Sequence, residues 1–261
     1  VVKKLVIFFC ILILIPDQAL CGDIGLYNSF DDDLAERQLS WPLWALPGPF
    51  RRPQDDEDLI YPEYFLGDWQ IINFDLSDPK KKFVIHKAKF RHDSNGKVVA
   101  DRAFNTKSLG QEIFGSTLID VIDDPDSPNR QLALFQDDES LETKVIGRSQ
   151  SSLSNGLFIS DELALQIFHS LSISRINQVE TLGRYSKCRD QGILLENINS
   201  SSICGEQWQG TYKAPGESLK LKSINSNHFK LLFISATEQL PSKKSLVDLA
   251  NQKDQLILDG P

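Results

Sequence analysis

Gly67-Asp68-Trp69-Gln70-Ile71-Ile72-Asn73-Phe74-Asp75-Leu76 is the stretch on which the reading of this chain turns. From Trp69 onward its pattern has a period near two, which sends alternate side chains to opposite faces of a β-strand. The leading glycine lets the backbone turn in, and an indole two residues later can close the bottom of a barrel. Gly67 and Trp69 are therefore expected to form a barrel plug at the start of a first strand.

β signals continue downstream of that strand. Strands are expected at 67–76, 82–92, 97–104, 116–123, 131–136, 141–150, 172–187, 192–198, 206–213 and 228–237. Between them stand Asp78-Pro79, Ser94-Asn95-Gly96, Asp124-Pro125-Asp126-Ser127-Pro128, Asn155-Gly156 and Pro215-Gly216, all of which are turn chemistry. Two helical inserts are expected, Thr106–Phe114 and Ser160–His169, because Leu109 and Ile113, and Leu163 and Ile167, recur at i,i+4. Ser160-Asp161-Glu162 reads as a helix start, and a third helix is expected at Ser242–Leu256. Such a pattern implies an all-β domain, a single antiparallel barrel of about 8 to 10 strands with a few peripheral short helices. The domain is placed at 61–238, followed by a helical tail at 239–261.

Upstream lies a different kind of sequence. Lys3-Lys4, the apolar run Leu5–Ile15, Pro16 and a small-residue region compose a signal peptide over 1–21, with the mature chain starting at Gly22. Acylation of Cys21 is the lesser reading, because Gln18 and Leu20 occupy positions where a lipobox wants leucine and a small residue. There is no methionine, even at position 1. That fits a fragment or a non-standard start codon written as Val1, and the signal peptide favours the start codon. Residues 22–60 show no regular period and read as an extended arm. Its acidic clusters, Asp31-Asp32-Asp33 and Asp55-Asp56-Glu57-Asp58, flank Trp41-Pro42-Leu43-Trp44-Ala45-Leu46-Pro47-Gly48-Pro49-Phe50. Three prolines forbid a regular element there, and the aromatic rings are too apolar to stay in water. The arm is expected to pack along its own barrel, or else to dock on a partner or membrane.

Composition narrows the chemistry. With 41% apolar and 25% charged residues, the chain of 261 residues is ordinary for a soluble domain. The net charge of −8 becomes −9 once Lys3, Lys4 and Asp17 are removed with residues 1–21, and no basic, aromatic-studded stretch suits nucleic acid. His86, His92, His169 and His228 form no metal-binding motif, and no nucleotide or hydrolase signature is present. No metal or cofactor is expected; a haem on His86 is the weaker alternative to a hydrogen-bonded core histidine. Export leaves Cys188 and Cys204, which form either a disulfide, contributing about 3 kcal/mol, or a pair of small buried hydrophobes.

Charges inside otherwise apolar strands remain: Asp101, Arg102, Arg130, Arg148, Arg175, Glu180 and Arg184. Alternation puts Val98, Ala100, Arg102 and Phe104 on one strand face, and Glu180 with Ile176, Gln178 and Leu182 on another. A charge in such a row must be paired or reach water. Arg102 or Arg148 is thus expected to meet Glu180 across the lumen. The first reading is a structural ion pair, and the second makes Arg102, Arg148, Arg130 and Glu180 the polar anchor of a ligand cavity. Glu180 as a general base has the thinnest support.

Five ordered segments carry a resemblance: Tyr61–Trp69, Val98–Asn105, Asp124-Pro125 through Pro128–Gln131, Ile146-Gly147-Arg148, and Asn177–Thr181. With them the chain resembles the uncharacterised, lipocalin-like (calycin-type) domain-of-unknown-function family of cyanobacteria and plastids, well over residues 59–186 and loosely beyond. The resemblance implies a cyanobacterial host and the thylakoid lumen or periplasm, and carries no catalytic residue. The expected function is binding of a small amphipathic ligand, such as a pigment, lipid or isoprenoid. The alternative is an accessory or assembly factor touching a thylakoid membrane complex through Trp41–Phe50; an enzyme on this scaffold is third. Oligomeric state is open.

Overall fold

The computed structural model describes Leu34, Arg37 and residues 51–77, 83–171, 174–188, 202–213 and 225–237. The expected signal peptide, the Trp41–Phe50 strip, the strand at 192–198 and the helix at Ser242–Leu256 lie outside those residues.

Ten strands follow one another: β1 (Gly67–Asp75), β2 (Val84–His92), β3 (Val98–Ala100), β4 (Leu118–Asp124), β5 (Ser127–Phe135), β6 (Ser140–Ser152), β7 (Phe158–His169), β8 (Ser174–Lys187), β9 (Ile203–Lys213) and β10 (Asn225–Ser235). A helix, α1 (Arg102–Phe114), stands between β3 and β4. All neighbours are antiparallel, in the order β3-β2-β1-β10-β9-β8-β7-β6-β5-β4. The all-β antiparallel class expected from sequence is therefore observed.

One side chain reveals the curl of this sheet. The Phe65 ring lies 5.1 Å from Phe90 of β2 and 6.0 Å from Phe158 of β7. Those strands are five places apart, about 24 Å in a flat sheet at the usual strand spacing. The face bearing both rings is consequently the inside of a curled, barrel-like sheet.

α1 covers the seam between the two ends of the sheet. Along the β2 edge left free by the short β3, the Asn105 amide accepts from Lys89 N (2.7 Å) and donates to Lys89 O (3.1 Å), as a neighbouring strand would. Ser108 Oγ accepts from Lys87 N at 2.8 Å. On its other flank Lys107 Nζ reaches Asp120 of β4 at 2.8 Å, and Phe114 meets Phe135 of β5 edge-on at 5.4 Å. Satisfying edge groups in this way removes a template for strand addition.

The lower end of the barrel is filled by rings. Phe65, fully buried, centres a cluster with Tyr61, Tyr64, Phe90, Phe158, Tyr185 and Phe233, and Trp69 donates its indole N–H to Phe65 O at 2.6 Å. Gly67 has a φ of +126°, a conformation that side chains oppose, so glycine is needed where the chain turns into β1. Tyr185 lies flat across Gly183 and Gly205, and a Cβ on either would collide with its ring. Cys188 and Cys204 form a disulfide with Cα atoms 4.9 Å apart, tying the end of β8 to the start of β9.

Three local expectations are corrected. Ser160–His169 is strand within β7, not helix. An i,i+4 spacing is also a multiple of two, and two long neighbours, β6 and β8, claim the segment's backbone bonds. The expected strand at 97–104 stops at Ala100; Asp101 caps α1 by accepting from Phe104 N at 3.3 Å, so Arg102 and Phe104 do not share a strand face with Val98 and Ala100. Finally, within the arm read as extended, Leu34 and Arg37 are helical and buried or nearly so, Leu34 against Ile159, Leu182 and Trp208.

Candidate functional site

Charged side chains gather at two places, one on each face of the sheet. Which face a residue reaches follows from strand alternation, except where a bulge resets it. In β6 the register shifts between Val145 and Gly147, so that Val145 pairs with Ala164 and Arg148 with Glu162. The extra residue turns Arg148 inward, where unbroken alternation from Val145 would have turned it out.

On the inner face, Glu162 of β7 stands between two arginines. Arg148 Nε and Nη2 lie 2.8 and 2.7 Å from Glu162 Oε1, and Arg102 Nη2, arriving from the first turn of α1, lies 3.1 Å from the same atom. Arg102 also holds Asp58 at 2.7–2.8 Å. The remaining Arg148 donors go to Asn129 Oδ1 and Glu57 O, both at 2.7 Å. Burial by itself would raise the Glu162 carboxyl, but Arg102 and Arg148 overcome it and hold the group below its ordinary value. Burial works against the Arg102 charge as well, and Glu162 and Asp58 outweigh it.

This cluster anchors a strap of irregular chain. Arg51 O accepts from Arg148 N (2.8 Å), Gln54 O from Asn129 Nδ2 (2.8 Å) and Asp55 O from Ser127 Oγ (2.8 Å), while Tyr61 N donates to Val98 O (2.8 Å). The strap thus runs from β5 and β6 to β3, crossing the seam that α1 also covers. A surface cavity of about 750 Å³ opens beside it, lined by Arg51, Asp58, Lys97 and Gln150 among others.

On the outer face, Glu180 of β8 is fully buried and accepts from Arg37 Nε and Nη2 on Oε1 (3.0 and 2.6 Å) and from Tyr212 Oη on Oε2 (2.6 Å). Asp161 of β7, 1% exposed, has its Oδ2 4.0 Å from Arg37 Nε. Burial and then the neighbouring Glu180 charge push the Asp161 carboxyl well up, against the pull of Arg37. Burial and Glu180 likewise push up the Tyr212 hydroxyl.

The expected anchors are therefore divided. Arg102 and Arg148 come together, but through Glu162, not Glu180. Glu180 shares a face with Leu182, as alternation implied, but that face is the outer one and not the lumen, and there it meets Arg37. Arg130 is half-exposed on the outer face of β5, bonded to Glu142 (2.8 Å) and Asp124 (3.0 Å), far from a lumen role. Sequence reasoning missed Glu162, Asn129, Asp58, Asp161 and Arg37. For Glu162 a signal existed: a period of two through Phe158, Ser160, Glu162 and Ala164 places it inward.

Beyond the aromatic plug, the inner face carries uncharged polar groups. Thr181 of β8, Gln207, Gln209 and Thr211 of β9 and Asn73 of β1 are all partly exposed there, next to buried Val179 and Leu231. Burial lowers the His86 imidazole below its ordinary value, against a hydrogen-bonding contact with Lys87 O. Among the described residues no group of three or more His, Cys, Asp or Glu could hold a metal ion.

No curated protein and no solved structure matches the chain. One protein family does, described as a domain of unknown function (DUF6816), over residues 54–227. That span holds the strap from Gln54 onward, the plug and every residue of the inner cluster, and leaves out Leu34 and Arg37. By a match covering two thirds of its length, the chain belongs to the DUF6816 family.

Proposed function

We propose that this protein binds a small amphipathic ligand, a pigment, lipid or isoprenoid, in the open part of its barrel-like sheet. The observation that carries this reading is the inner face itself, where Thr181, Gln207, Gln209 and Thr211 stand partly exposed beside apolar Val179 and Leu231. A concave wall that mixes hydrogen-bonding groups with apolar side chains suits a molecule that is itself part polar and part apolar. The arginines are not the anchor in this reading, because Arg102 and Arg148 already satisfy carboxylates and backbone within the chain. Export to a thylakoid lumen or periplasm belongs to the same proposal, and the Cys188–Cys204 disulfide supports an oxidising compartment. Contact with a thylakoid complex through Trp41–Phe50 is the second expectation. Burial of Leu34 and Arg37 on the chain's own sheet favours arm packing over it.

The test is organic extraction and mass spectrometry of the purified protein, followed by titration with the fluorescent lipid cis-parinaric acid. A co-purifying amphipathic molecule is expected, with saturable probe binding that Thr181→Trp weakens at least about tenfold, roughly 1.4 kcal/mol. Absence of both a resident molecule and saturable binding overturns the proposal.

A further inference from the structure

Arg37 occupies a site that is built by the rest of the molecule. Ile159, Leu182 and Trp208, on the outer faces of β7, β8 and β9, form an apolar shelf under Leu34. Three residues on, and so on the same side of a helix, Arg37 enters the group formed by Glu180, Asp161 and Tyr212. Every shelf and pocket residue falls inside 54–227, whereas Leu34 and Arg37 fall outside it.

Removing the arm would leave two enclosed carboxyls side by side on the domain. Like charges so placed are unfavourable, and an unpaired buried charge is more so. Among the described residues the strands place no cation against these two carboxyls, and Arg37 brings one. Arg37 presents Nε and Nη2 together to Glu180 Oε1, a two-donor contact that a planar guanidinium fork makes and a compact ammonium does not.

We propose that the outer face of β7–β9 is a peptide-binding site specific for a helical segment presenting leucine and arginine three residues apart, occupied in cis by the chain's own Leu34 and Arg37. The shelf selects the leucine, and Glu180 with Asp161 selects the guanidinium. Tyr212 fixes the second Glu180 oxygen, leaving the first for the arginine.

Chemical rescue of the full-length chain tests this. Arg37→Ala should lower the melting temperature, and added methylguanidinium should recover much of the loss. Methylammonium should not, nor should methylguanidinium act on the unsubstituted chain or on Arg37→Ala/Glu180→Gln. A peptide of residues 31–40 should bind the Arg37→Ala chain at least about tenfold more tightly than the same peptide carrying Arg37→Lys, while the unsubstituted chain, its site filled, binds neither. If Arg37→Ala does not fold, Arg37→Lys keeps the charge and stem and should still melt below the unsubstituted chain, and equal melting temperatures would overturn the proposal. Equal rescue by both cations, rescue that survives Glu180→Gln, or equal binding of the two peptides overturns the proposal.

Discussion

The two faces of the sheet each bury an ion cluster, and the clusters differ in their charge balance. Inside, two guanidinium groups meet two carboxylates, Glu162 and Asp58, and spare donors end on Asn129 and Glu57 O. Outside, among the described residues, one guanidinium meets two carboxyls, Asp161 and Glu180. Burial pushes Glu162 and Asp161 the same way, yet Glu162 ends below its ordinary value and Asp161 well above it. The number of cations within reach, not depth of burial, sets the sign. The inner cluster is a finished structural tie, whereas the outer one is short of positive charge.

The largest break in that contrast should come from Arg148→Met. Glu162 would lose its better-placed partner and the strap its side-chain bond to Glu57 O, so equilibrium denaturation at neutral pH should show a loss of about 3–5 kcal/mol. A loss below 1 kcal/mol would deny the inner cluster its structural role. Next in size is the pH response. Because the folded value of Asp161 is raised, the folded chain binds more protons than the unfolded one between the ordinary carboxylate range and that raised value. Stability from this group must then fall as pH rises through the window, by at most about 1.4 kcal/mol per pH unit. Glu162 works in the opposite sense: its contribution is present above the unfolded value and fades as pH drops through the depressed folded one. Asp161→Asn should flatten the upper slope and stabilise the chain at the alkaline end, and an unchanged slope would erase the distinction between the clusters. The smallest effect, about 1 kcal/mol, is expected for Asp58→Asn, since Arg102 keeps Glu162 when its second partner weakens. Thermal or chemical denaturation compared with Arg148→Met would order the two.

Much of the fold was legible because alternation is a local property. β1, β2 and β8 are found within two residues of their expected limits, and the residues along β8 divide between two faces as a period of two assigns, although the Glu180 set expected in the lumen lies outside. The candidate sites were less legible, for reasons that are not local. A bulge at Ile146 re-aims Arg148, and no composition cue marks it. Asp101 looked like a strand charge, although an aspartate three residues before a paired backbone N–H is also a cap. Ser160-Asp161-Glu162 resembles a helix start so closely that the sequence alone points to a helix in place of β7, which hides both cluster centres at once. Arg37 could be placed only by the outer face that receives it.

Asp161 and Glu162 are consecutive residues of one strand, each the hub of a cluster on its own face. A slip of β7 by a single position would carry the carboxylate meant for two arginines to the arm side and deliver the other to the lumen, unpairing both in one step. Hydrophobic neighbours such as Ile159 and Leu163 would tolerate many displacements in so long a β-ribbon. These adjacent acids make the wrong alignments expensive, and so act as a ratchet tooth that lets β6, β7 and β8 zip in only one register.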